Sequence, residues 1–269
     1  MKDFLLVRIQ MSNNNIQQLF ISHFLKPIVE KFEVVQKNPE TLKIIQNMDF
    51  FVSNHQRTSP VMERLLSEME NNPNLSEALE TIPYRQLFRL LANSENIENV
   101  KLLSLINTDF FQNEIMECFD NIQIGNHFKR RKPLIAEAFK LYELEYFSGC
   151  LCLIHSQLEG IITDYLIFKN IIRKEISNGK TKFISNSDGK NVVGLAKKIE
   201  LAKDINENFL RLESFQFDND QNKKFHNERN DLLHGSNIDN FNPERCFIVF
   251  IWIDSILSSI YRNEVILKL

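Results

Sequence analysis

With only seven glycines and seven prolines in 269 residues, the chain has few places to reverse direction sharply. Long helices joined by short connections are therefore expected, since a turn-rich β architecture needs many more such residues. Hydrophobic residues make up 43% of the chain and charged residues 25%, enough apolar material for one large or two ordinary globular domains. The expected fold class is all-α.

The first half breaks into short amphipathic segments over 15–35, 40–52, 59–70, 83–93, 96–107 and 109–121. In SPVMERLL, Ser59 stands as an N-cap, Pro60 as the first helical residue and Glu63 in the first turn, a coherent helix start. In IPYRQLFRLL, Leu87, Leu90 and Leu91 share one helix face. The stretch DNIQIGNHFKRRKP, 120–133, gathers a glycine, a basic cluster and a proline. A boundary is placed there, dividing an N-terminal helical domain, 1–125, from a C-terminal helical bundle, 126–269, expected to fold on its own.

Within the bundle, helices are read over 133–147 and 148–173, separated by the FSGC turn, with Leu151, Ile154, Leu158, Ile161, Ile162 and Tyr165 in one buried stripe. The polar, lysine-bearing stretch 177–191 reads as a mobile loop. A third helix is expected over 192–215, a fourth over 219–234, and a last one capped by Asn242 and opened by Pro243.

The fourth helix ends in NERNDLLHGSN, 227–237, where polar and charged residues crowd around two leucines. At four-residue spacing His226, Asn230 and His234 lie along one face, and Arg229 is long enough to reach round to them. Gly235 suits the C′ position, which leaves His234 at the negative end of the helix dipole. Arg offers a planar fork to phosphate oxygens and His transfers protons near neutral pH, so the set matches phosphodiester cleavage without a metal or other cofactor. A solvated helix end with an ordinary C-cap has the same spacing.

RNDLLHG, Arg229–Gly235, resembles the R-x4-6-H signature of the HEPN family, helical bundles of four or five helices in which a polar residue commonly follows the Arg, as Asn230 does here. The resemblance covers the C-terminal half. It implies a metal-independent endoribonuclease of the kind found in bacterial toxin, abortive-infection and CRISPR-associated proteins. Arg229 and His234 would be the catalytic pair and Asn230 their support, two motifs would meet in a homodimer cleft, and cleavage would leave a 2′,3′-cyclic phosphate. Ser236 stands where toxins paired with nucleotidyltransferase antitoxins carry Tyr, a departure that argues against adenylylation control. The family also holds inactive members that bind nucleic acid or nucleotide as adaptors.

Further candidates are weaker. Lys129, Arg130, Arg131 and Lys132, with His226 from the motif helix, are read as RNA-binding residues, a solvated helix start being the alternative for the basic run. His155 and Glu159 share a face, as a hydrogen-bonded pair or as part of a site. Lys180, Lys182 and Lys190 either clamp substrate or aid solubility. The apolar face of Phe247, Phe250, Trp252 and Ile256 is read as core or as the contact that holds a dimer together.

A net charge of −3 gives no global attraction to nucleic acid, so RNA binding must rest on local patches. The four cysteines, Cys118, Cys150, Cys152 and Cys246, have no metal-ligand spacing and read as reduced thiols. MKDFLLVRIQ lacks the pattern of a signal peptide, and CFIVFIWIDSIL meets Asp254 well short of the roughly 18 residues a span needs. A cytoplasmic protein without membrane contact is expected, with RNA, a second copy and an antitoxin or regulatory protein as partners.

Overall fold

The computed structural model describes residues 67–68, 71–79, 86–87, 90, 101–177, 179–203 and 219–266. The helices expected over 15–35 and 40–52, the Ser59 cap and the later part of the 192–215 helix lie outside them. The chain divides into two compact units, Met1–Glu70 and Asn71–Leu269. In the first, Ser67 and Glu68 are helical.

The described part of the second unit is mainly helical. It runs α1 (Pro73–Leu79), a 3-10 helix (Leu102–Asn107), α2 (Asp109–Asn121), α3 (Asn126–Lys129), α4 (Lys132–Glu143), α5 (Phe147–Phe168), β1 (Ile172–Ser177), β2 (Lys180–Ser185), α6 (Gly194–Lys203), α7 (Asn219–Leu233) and α8 (Pro243–Glu264).

Local sequence explains most helix ends. The Thr108 hydroxyl accepts from the Phe111 amide to start α2, whose Phe111, Ile115, Cys118 and Phe119 recur at helical spacing and are buried. The Asn242 side chain accepts from the Arg245 amide at 2.9 Å and Pro243 opens α8, as the sequence predicts. The break between α4 and α5 falls at Leu144–Tyr146 rather than at FSGC, whose residues already belong to α5. Glu145 takes φ 61° there, and the Tyr146 amide reaches back to the Leu141 carbonyl at 2.8 Å.

Two apolar helices form the centre. In α5 the whole stripe from Leu151 to Tyr165 is buried, and α8 is buried on nearly every side from Cys246 to Leu257. A helix that is hydrophobic all round belongs inside. Here α1, the 3-10 helix, α2 and α5 pack on α8. Phe247, Phe250, Trp252 and Ile256 are each at most 1% exposed, which overturns their reading as dimer contact. Phe250 stacks on Phe139 at 4.6 Å, and Phe139 meets Phe111 edge-on at 6.1 Å. By length and composition α5 is also long and apolar enough to cross a membrane, but most of that window is buried inside the protein.

The same packing moves the expected domain boundary. Phe111 and Phe119 of α2 and Leu105 and Ile106 of the 3-10 helix sit in one core with α4 and α8, so no division falls near residue 125. The all-α expectation needs one correction as well. Residues 172–185, which overlap the expected mobile loop, form an antiparallel hairpin in register from Ile172↔Ser185 to Ser177↔Lys180. The two residues left between the strands are Asn-Gly, the sequence that type I′ turns favour, and Gly179 has φ 72°. Ile172 and Ile184 are buried and anchor the hairpin beside α5.

Candidate functional site

Helix α7 docks through residues at helical spacing. Phe225 is buried and stacks on Trp252 at 4.9 Å, and Leu232, two turns on, is buried as well. Between them Glu228 accepts from Arg245 at 2.5 Å, and that guanidinium also reaches Glu77 at 3.2 Å. This docking turns Arg229 toward α5.

There Glu159 receives two cations. Its Oε1 accepts from Lys198 Nζ of α6 at 2.7 Å, and its Oε2 accepts from Arg229 Nη2. All three side chains are largely buried, at 21% exposure for Glu159, 11% for Arg229 and 5% for Lys198. The ammonium of Lys198 also lies 4.8 Å from the centre of the Phe183 ring, which joins the hairpin to the cluster. One carboxylate between two cations leaves a net positive charge. Arg229 Nη1 also donates to Asn230 Oδ1 at 3.2 Å, so the Asn after the Arg helps to orient it.

His155 stands one turn before Glu159 on α5 and is 2% exposed, tilted against Phe225 at 5.9 Å. Burial, with the Arg229 charge adding to it, pushes its pKa down to about 3, so the ring is neutral across the physiological range. Among the described residues, its Nδ1 and the Nε of Arg229 are buried with no hydrogen-bond partner. Of the shared face read for His155 and Glu159, only Glu159 joins the motif through a hydrogen bond.

His234 follows the last residue of α7. The Gly235 amide donates to Leu232 O at 3.0 Å and the Ser236 amide to Asp231 O at 2.8 Å, with Gly235 at φ 71°. This is a Schellman end with Gly235 at C′, and it leaves His234 exposed. Arg229 is thus held inward and His234 is presented to solvent. The His226 side chain lies outside the described residues.

The basic run does not act as one patch. Lys129 and Arg130 are exposed, Lys132 pairs with Asp120 at 2.6 Å, and Arg131 turns inward to Asp164 of α5 at 2.7 Å. Lys180 and Lys182 project from the hairpin, and Lys190 pairs with Asp188 at 3.2 Å. Glu159 and Lys198 are the site members the sequence reading did not connect to the motif. Among the described residues no group of three or more His, Cys, Asp or Glu is placed to hold a metal ion. No protein-family profile, curated protein or solved structure matches the chain.

Proposed function

We propose that the chain is a metal-independent endoribonuclease of HEPN type, acting in the cytoplasm in a bacterial toxin or anti-phage defence system. The observation that carries the reading is the division of labour on α7: a guanidinium fixed by Glu159 and Asn230, and an exposed imidazole at the end of the same helix. In the proposed step His234 takes the proton of the 2′-hydroxyl while O2′ bonds to the adjacent phosphorus. The P–O5′ bond breaks, and the leaving oxygen takes a proton from a second acid. Arg229 faces the charge that develops on the phosphorane.

One motif supplies one imidazole, so the second acid comes from a second copy across a homodimer cleft. Leu233 and Ile238, at 38% and 71% exposure, flank His234 in the sequence and are the apolar residues we assign to that contact. Lys129 and Arg130 serve RNA phosphates. An antitoxin or regulatory protein remains part of the proposal, with the N-terminal region as its docking or restraining element.

Incubating RNA with the protein in excess EDTA, beside Arg229→Ala and His234→Ala, tests the reading. Cleavage in chelator that both substitutions abolish supports it. The ion pair that occupies Arg229 favours a second reading, a noncatalytic adaptor whose motif binds nucleic acid or nucleotide; binding without any cleavage would select it.

A further inference from the structure

A second cluster of charged groups lies on the far side of α5. At roughly 100° per residue, His155 and Glu159 occupy one flank of that helix, while Gln157, Gly160 and Asp164 occupy the other. On this second flank the Asp164 carboxylate, 8% exposed, lies 3.0 and 3.1 Å from His127 Nδ1 through its two oxygens and accepts from Arg131 Nε at 2.7 Å. Arg131 Nη1 donates to Gln157 Oε1 at 2.9 Å, and its Nη2 stands 3.4 Å from His127 Nδ1.

The chemistry fixes the proton. A carboxylate only accepts, so Nδ1 of His127 carries a hydrogen toward Asp164, and Nε2, on a side chain that is 73% exposed, is left facing outward, where an N–H donates to an anion when the ring holds both protons. The guanidinium is seated just as firmly. It lies over the backbone at Gly160, where a Cβ would overlap it. A glycine inside a helix is unfavourable relative to alanine, and here it makes the room that Arg131 occupies. Asp164 is already engaged by both groups, so the outer surface offers Arg131 Nη2, His127 Nε2 and the exposed Lys129 and Arg130 of the same short segment.

We propose that His127, Arg131, Lys129 and Arg130 form a second anion site, taking the phosphate group of a nucleotide chain or of a free phosphate. A guanidinium and an imidazole edge this close are matched by two oxygens of one phosphate, and the flanking cations add attraction without further desolvation. The site shares no residue with the α7 motif; it deepens the phosphate role given above to Lys129 and Arg130, and its geometry at His127, Arg131 and Asp164 stands whether or not the α7 motif cleaves RNA.

The test follows the imidazole C–H signals of the full-length protein by NMR at fixed pH and ionic strength, with His127 assigned by the signal lost in His127→Gln. Inorganic phosphate is titrated in one arm and a short oligoribonucleotide lacking terminal phosphates in the other. A saturable shift of the His127 signal is expected, with an affinity about tenfold weaker in Gly160→Ala, which keeps the helix but ejects the Arg131 guanidinium. Saturation in both arms identifies the phosphate group itself as the ligand, and saturation by the oligonucleotide alone identifies the polymer backbone. Arg229→Ala and His234→Ala leave the response unchanged, so failure of the nuclease reading is separable from failure here. No saturable shift in either arm, or full affinity retained in Gly160→Ala, overturns the proposal.

Discussion

Arg229 of α7 is held by Glu159 of α5 in an ion pair that spans 70 residues of sequence, and the same carboxylate holds Lys198. Glu159→Gln removes the only negative charge among the three groups and leaves two cations facing each other in a poorly solvated cluster. The expected loss is about 2–4 kcal/mol, read from urea unfolding. If Arg229 works on phosphate, cleavage falls as well, because the guanidinium loses its orientation. Wild-type stability in this variant would show the pair to be energetically idle.

His234→Ala tests the exposed half of the site. Cleavage should drop by roughly 10²- to 10⁴-fold, the usual contribution of a general acid or base. The side chain is exposed, so the far-UV circular dichroism and the melting temperature should stay at wild-type values. Activity within about twofold of wild type would remove His234 from the mechanism.

The shared site makes a prediction about mixtures. Arg229→Ala and His234→Ala, each inactive alone, should recover part of the activity when mixed, since subunit exchange assembles one intact pair of groups. Ile238→Asp, at a residue 71% exposed, should shift the protein toward monomer in light scattering and lower cleavage in parallel. A monomer that cleaves at the full rate would contradict a site built from two copies.

Buried His155 predicts acid sensitivity. Its folded pKa, about 3, lies below the ordinary 6.5, so between those values the unfolded chain binds the extra proton. The contribution is therefore intact above pH 6.5 and is lost progressively as pH falls toward 3. In His155→Leu this part of the pH dependence disappears, which narrows the difference in melting temperature between pH 7 and pH 5. An unchanged difference would mean that the ring is not buried in its neutral form.

Packing of α2 and the 3-10 helix on α8 predicts the outcome of truncation. A fragment starting at residue 126 loses Leu105, Ile106, Phe111 and Phe119 from the core and uncovers a flank of α8. It should bind a hydrophobic dye and lack a cooperative melting transition. A fragment starting at Asn71, the first residue of the second unit, should melt cooperatively.

Elements set by neighbours in sequence are legible in the sequence itself. The sequence predicts α2 with the bounds it has, and the Asn242–Pro243 start of α8 and the Gly235 stop of α7, because caps and periodicity act within a few residues. The hairpin does not show in the pattern because its strands carry more charge than alternation, although Asn178 and Gly179 spell the turn. Long-range pairing was not legible. Nothing near Arg131 reveals that Asp164 and Gly160 draw it inward, and nothing near Arg229 reveals Glu159, because those partners meet only once α5 is packed.

The position of Lys198 gives the hairpin leverage over the motif. Its ammonium lies over Phe183 of β2 and bonds the carboxylate that also holds Arg229, so strand, lysine, glutamate and arginine form one continuous chain of contacts. A ligand or partner that pulled the hairpin away from α6 would take the Phe183 ring from Lys198, leave its ammonium to Glu159 and loosen that carboxylate's hold on Arg229. By thermodynamic reciprocity, an anion that drew Arg229 off Glu159 would strengthen the carboxylate's hold on Lys198 and weaken the ring contact that ties down the hairpin.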